Sequence, residues 1–124
     1  MSKRALITGS AGQDGSYLSE YLLDLGYDVY GLVRRNSVGI YPNLETVLTN
    51  RRFHLILGDL KDSGFLTNLV RETQPDELYG LGAQSHVGYS FAIPAETVAV
   101  DAVPTFVILD AIQKYSRHTR FYFA

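Results

Sequence analysis

Gly9, Gly12 and Gly15 constrain this chain more than any other feature. They form a G-x-x-G-x-x-G spacing that starts directly after the apolar run Ala5-Leu6-Ile7-Thr8 and leads into a segment with Leu18, Leu22 and Leu25 at helical intervals. A run that short, closed by glycine, reads as a buried strand; the leucine spacing reads as an amphipathic helix that stops at Gly26. A glycine turn at such a junction brings bare backbone up to the free N–H groups and positive dipole end of a helix, which together hold a pyrophosphate. Gly9, Gly12 and Gly15 are therefore candidate contacts for a dinucleotide. The competing reading is structural, with three glycines serving only a tight turn and close helix packing.

The alternation continues along the chain. Asp28–Val33 is a second strand, followed by a polar loop from Arg34 to Asn43 and a short helix predicted around Leu44, Val47 and Leu48. Phe53–Leu57 is a third strand. Asp62 or Ser63 then caps a helix with Phe65, Leu66, Leu69 and Val70 on one face, and Gln74-Pro75 ends it. Glu77–Leu81 is a fourth strand, Ala95–Tyr115 a long helix that Pro104 should kink, and Arg120–Phe123 a fifth strand. Strands separated by helices pair in parallel, which predicts an α/β, doubly wound parallel sheet ordered 3-2-1-4-5. The fifth strand ends the chain at a sheet edge without a covering helix, so the 124 residues are expected to be one domain cut short after that strand, the N-terminal part of something longer.

Composition removes several function classes. With 11 Lys and Arg against 13 Asp and Glu, no basic surplus favours nucleic acid as a partner. No segment approaches the roughly 20 apolar residues of a membrane span, and no signal-peptide pattern opens the chain, so it is expected to be cytoplasmic with no membrane partner. Cysteine is absent and the three histidines, His54, His86 and His118, are far apart in sequence, so no metal site is expected.

Chemistry concentrates where strands end. After the second strand, at the place where an NAD-selective site usually carries an acid, stand Arg34 and Arg35. Two guanidinium groups there can grip a 2′-phosphate by bidentate contacts, which favours NADP over NAD; the bland alternative is a solvated basic pair. After the third strand, Asp59 is positioned for the exocyclic amine of an adenine, or else caps the next helix. After the fourth, Leu81, Gly82, Ala83, Gln84 and Ser85 supply small residues for close passage and polar contacts along a nicotinamide ribose. His86 fits a loop or substrate-side position better than a general base, because no carboxylate partner is evident beside it. Most of the nine tyrosines read as packing residues; Tyr41, Tyr89 and Tyr115 are left undecided.

Taken together, Gly9-x-x-Gly12-Gln13-Asp14-Gly15-Ser16-Tyr17-Leu18, Val33-Arg34-Arg35, Gly58-Asp59-Leu60 and Leu81-Gly82-Ala83-Gln84-Ser85-His86-Val87 resemble the GDP-mannose 4,6-dehydratase family of extended short-chain dehydrogenases/reductases. The resemblance covers nearly the whole chain. It implies a Rossmann fold and NADP as cofactor, with Gly9, Ser10, Ala11, Gly12, Gln13 and Asp14 along the pyrophosphate. It also implies Arg34, Arg35, Asn36 and Ser37 at the 2′-phosphate, Asp59 and Leu60 by the adenine, and residues 81–85 by the ribose and nicotinamide. Ser85 and His86 would face the sugar of a nucleotide-sugar substrate, GDP-mannose.

The implied reaction is an internal redox cycle. Hydride leaves the sugar C4 for NADP⁺, water is lost across C5 and C6, and hydride returns to C6 to give GDP-4-dehydro-6-deoxy-mannose. The family's Ser or Thr, Glu and Tyr-x-x-x-Lys have no counterpart within these 124 residues, so no catalytic residue is assigned. Glu96 and Pro104 depart from the family pattern. A homodimer or homotetramer is implied, with the Arg34 to Asn43 loop a place for contact between subunits. Two other functions fit the same residues: another nucleotide-sugar epimerase, dehydratase or reductase, and a noncatalytic dinucleotide-binding module.

Overall fold

The computed structural model describes residues 2–82 and 94–124, with the side chains of 94–101 excepted. Five strands form one parallel sheet in the order β3-β2-β1-β4-β5: β1 Arg4–Thr8, β2 Asp28–Val33, β3 Phe53–Leu57, β4 Glu77–Gly80 and β5 Arg120–Phe123. The predicted order and strand positions hold. Helix α1 spans Gln13–Asp24, α2 Ser63–Thr73 and α3 Pro94–Tyr115. The last continues unbroken through Pro104.

The central strand explains the two-layered core. In β1, Ala5 and Ile7 lie on one face and Leu6 on the other, all at most 1% exposed, as a parallel strand covered on both sides must be. Ala5 and Ile7 pack with Val29, Val33 and Phe53 beneath Leu22 and Leu23 of α1. On the opposite face, Leu6, Leu32 and Leu78 meet Leu66, Leu69 and Val70 of α2 and Ile108 and Ala111 of α3. Helix α2 buries the face that its spacing marked out, whereas Leu25, beyond the end of α1, and Leu109 of α3 are exposed, and Leu23, Ile108 and Ala111 take the core positions instead.

Helix ends follow local chemistry. Asp62 caps α2, its carboxylate accepting the Phe65 N–H at 3.0 Å, so Asp59 is not the cap. Gln74 closes α2 in a left-handed conformation (φ 46°), and Pro75 prevents its continuation. The helix predicted around Leu44, Val47 and Leu48 is instead a 3₁₀ turn over Pro42–Leu44 followed by further turns. Leu44 and Val47 still enter the core. With β-branched Thr46, Val47 and Thr49 and too few residues to repay nucleation, the segment gains its burial without completing an α-helix.

At the end of the sheet where β4 begins, the Glu77 carboxylate accepts hydrogen bonds from Tyr27 (2.8 Å) and Tyr79 (2.5 Å), and Tyr79 stacks on Tyr122. The bond to Glu77, together with burial, raises the Tyr27 hydroxyl from 10.0 to about 12. Burial first, and then the same carboxylate, pushes Tyr79 up as well. An unfolded chain releases the Tyr27 proton near pH 10, whereas the folded chain holds it to about 12. The stabilisation is therefore complete below pH 10 and is lost as pH rises through about 12. Tyr27→Phe should flatten the alkaline side of the stability profile in denaturant titrations; an unchanged slope would dissociate the clamp from stability.

Candidate functional site

The three glycines have different structural reasons. Gly9 has φ +71°, and a Cβ there would lie 2.7 Å from the Leu81 carbonyl oxygen and 2.8 Å from the backbone of Gly82. The turn after β1 is thus pressed against the exit of β4, and Thr8 Oγ1 ties the two by accepting the N–H groups of Leu81 and Gly82, each at 3.1 Å. A Cβ at Gly15 would run into the Gly9 carbonyl and come within 2.8 Å of Ser10 Cα, so Gly15 lets α1 sit on the turn. Gly12 differs from both. It is exposed, a Cβ there would meet only the Gly9 carbonyl at 3.4 Å, and its φ of −73° and ψ of 172° are open to any residue.

Gly12 is also the N-cap of α1, and no side chain caps that end. Packing therefore accounts for glycine at two of the three positions, while the third leaves bare backbone at an open helix N-terminus. That is the arrangement by which a backbone approaches an anion. Gln13 and Asp14 occupy the exposed first turn of the helix. The Ser10 side chain faces inward: it is 0% exposed, with its Oγ 3.1 Å from Ser19 Oγ and its N–H donating to the Leu32 carbonyl at 3.2 Å. Ser10 braces the turn against α1 and β2.

Beside this turn, at the ends of β1, β2 and β3, lies a cleft of about 300 Å³. Gly9, Ala11 and Gly12 form one wall, and Leu32, Val33 and Arg34 close the end of β2. Asn36 and Tyr41 come from the following loop, Gly58 and Leu60 from the end of β3, and Gly82 from the exit of β4. The site lies where the strand order reverses between β1 and β4, the usual place for ligands in an open α/β sheet. Leu60 rests against Gly82, where a Cβ would come within 2.7 Å of Leu60 Cδ1.

Among the predicted residues, the cleft thus unites Gly9, Ala11, Gly12, Arg34, Asn36, Leu60 and Gly82. Arg35, Ser37 and Asp59 are exposed outside its lining, and Leu81 borders it through the carbonyl against Gly9. Neither the Arg34 nor the Arg35 guanidinium has a hydrogen bond or ion pair among the described residues. The Asp59 carboxylate accepts the Lys61 N–H at 2.9 Å in a local turn. Ala83, Gln84, Ser85 and His86, and the side chain of Glu96, lie outside the described residues.

Leu32, Val33, Tyr41 and Gly58 are lining residues that sequence reasoning did not assign to the site. Tyr41 sits seven residues beyond Arg34, and only the fold of the loop returns it to the cleft. Gly58 carried a signal, since it opens the Gly58-Asp59-Leu60 stretch; a Cβ there would also collide with the Phe65 ring. Chemically, Leu32, Val33, Leu60 and Tyr41 give the cleft an apolar lining beside an open helix N-terminus and the Arg34 guanidinium, which has no partner among the described residues. That suits an elongated ligand with a flat ring and two anionic groups. Among the described residues no cluster of His, Cys, Asp and Glu could hold a metal ion, and no helix is long and apolar enough to cross a membrane.

Comparison with known proteins agrees with this architecture. The sequence model of the GDP-mannose 4,6 dehydratase family matches residues 6–124. A GDP-mannose 4,6-dehydratase of Yersinia enterocolitica is 47% identical over 97% of this chain, which spans 34% of that relative. The chain therefore covers about a third of the length of the curated relatives it matches. Among solved structures, a Thermotoga maritima UDP-glucose 4-epimerase with UDP-glucose superposes with a TM-score of 0.81 at 26% identity, over 97% of this chain and 37% of that one. A Bacillus anthracis dTDP-glucose 4,6-dehydratase in complex with NAD shares the fold with a TM-score of 0.78 at 18% identity, over 98% of this chain and 37% of its own.

The different roles of the glycines are separable by unfolding experiments. Gly9→Ala should cost about 3 kcal/mol or more, from the left-handed backbone and the collision with Leu81. Gly12→Ala should cost at most about 1 kcal/mol, the difference between glycine and alanine as N-caps. Equal losses would mean that Gly12 also serves packing.

Proposed function

We propose a function from one premise: the chain belongs to the GDP-mannose 4,6 dehydratase family. It supplies the NADP-binding part, residues 1–124, of an enzyme that converts GDP-mannose to GDP-4-dehydro-6-deoxy-mannose with loss of water. The dinucleotide that these residues would hold would supply reversible hydride acceptance and donation for the internal redox cycle.

The work of these residues is binding and orientation. Backbone at Gly9, Ala11, Gly12, Gln13 and Asp14 receives the pyrophosphate, and Arg34 and Arg35, with Asn36 and Ser37, receive the 2′-phosphate. Asp59 and Leu60 border the adenine, residues 81–85 run along the ribose and nicotinamide, and Ser85 and His86 face the sugar. The observation that carries this reading is Gly12, a glycine without a packing reason at an uncapped helix N-terminus, lining the same cleft as Arg34, whose guanidinium has no partner among the described residues. A 2′-phosphate is the ligand feature that two adjacent guanidinium groups fit best.

The enzyme is a lyase of the cytoplasm and assembles as a homodimer or homotetramer. Val103, Phe106 and Leu109 leave exposed apolar side chains on one side of α3, and Val38 and Ile40 expose two more on the Arg34 to Asn43 loop. Both surfaces are available for burial between subunits.

The protein at its natural length should consume GDP-mannose in the presence of NADP⁺ and form a 4-keto sugar nucleotide, read by product mass. Removing one charge-assisted contact costs about 1.5–3 kcal/mol. Arg35→Glu should therefore weaken NADP⁺ binding by roughly 10- to 100-fold, with a much smaller effect on NAD⁺. Failure to turn over GDP-mannose would remove the substrate, and equal losses for both dinucleotides would remove the 2′-phosphate role.

A further inference from the structure

The loop after β2 forms an arch held by hydrogen bonds of its own. Tyr41 Oη donates to the Arg34 carbonyl at 2.9 Å, while its ring packs against the core beneath α1. Within the arch, Asn36 Oδ1 accepts the Gly39 N–H at 2.5 Å, and Asn36 Nδ2 donates to the Ile40 carbonyl at 2.8 Å. Gly39 makes the reversal with φ +69°, in open space where a Cβ would meet nothing within 4 Å. Beyond the arch, Asn43 Nδ2 donates to the Ala11 carbonyl at 3.0 Å, joining this segment to the glycine turn.

From this geometry we infer that Tyr41 and the Asn36–Gly39 turn are positioning residues for cofactor selectivity, holding Arg34 and Arg35 aimed at a 2′-phosphate through the backbone. The inference rests on the dinucleotide reading above. Residues 34–40 are all exposed, and among the described residues of one subunit these hydrogen bonds and the Tyr41 ring are what hold them. A loose loop would have to be ordered when the ligand binds, at an entropic cost that the arch meets during folding instead. Only a ligand that uses the arginines gains from that preorganisation.

The two dinucleotides differ by one phosphate, so the ratio of their affinities isolates the arch. Contacts at the glycine turn are common to both and cancel in that ratio. Asn43, which braces the Ala11 carbonyl, should therefore move both affinities together, whereas Tyr41 and Gly39 should move the ratio.

The test is calorimetric titration of the protein at its natural length with NADP⁺ and with NAD⁺, on the wild type, Tyr41→Phe, Gly39→Val and Asn43→Ala. Tyr41→Phe keeps the ring and removes only the bond to Arg34. Gly39→Val strains the left-handed backbone at an exposed tip that does not line the cleft. Each of these two should lower the NADP⁺ to NAD⁺ affinity ratio about five- to tenfold, the factor carried by one hydrogen bond, while Asn43→Ala leaves the ratio near its original value. Ratios unchanged in both Tyr41→Phe and Gly39→Val would overturn the positioning role while leaving the dinucleotide reading intact. A wild type that binds neither dinucleotide would overturn that reading, and this inference with it.

Discussion

The close contact between the turn after β1 and the exit of β4 governs the rest of the molecule. Gly9 turns with positive φ against the backbone of Leu81 and Gly82, and Thr8 holds both of their N–H groups. Any side chain at Gly9 would push β1 and β4 apart where the strand order reverses. Because that contact holds, α1 starts at the C-terminal end of the central strand β1, Gly15 seats it on the Gly9 carbonyl, and its uncapped N-terminus opens beside the cleft. The geometry of the cleft thus follows from a packing constraint within the chain.

Other walls of the cleft are built in the same way. Inward-facing Ser10 ties the turn to Ser19 and to the Leu32 carbonyl, Asn43 ties it to the segment after β2, and Tyr41 ties that segment to Arg34. Each tie uses a polar group to orient backbone, and among the described residues the groups left without partners are helix N–H donors and the Arg34 and Arg35 guanidinium groups. A site of this kind discriminates by the spacing of positive groups along an apolar trough.

Much of this was legible in the residues alone. The apolar runs at Ala5–Thr8, Asp28–Val33 and Phe53–Leu57 were short, closed by turn residues and separated by helical periodicity, so the strands and their order followed from pattern and topology. Gly9, Gly12 and Arg34 could be placed beside the cleft from their positions at strand ends, although packing alone already requires glycine at position 9. Their differing roles were not legible, because φ and close approach depend on tertiary neighbours. Ser10 reads as a ligand contact in sequence and as an internal brace in the fold; only its burial distinguishes them. Tyr41 gave no signal, since its role comes from a loop closing on itself, and the segment after Pro42 carried helical spacing with too little length to use it.

The central claim is that the cleft receives a dinucleotide lying from the N-terminus of α1 to the Arg34 and Arg35 loop. A crystal structure of the natural-length protein grown with NADP⁺ tests it most directly. The account predicts the pyrophosphate against the backbone of Gly12 and the first turn of α1, with the 2′-phosphate within hydrogen-bonding distance of Arg34 or Arg35. A dinucleotide bound elsewhere, or one with its 2′-phosphate turned away from both arginines, would contradict it.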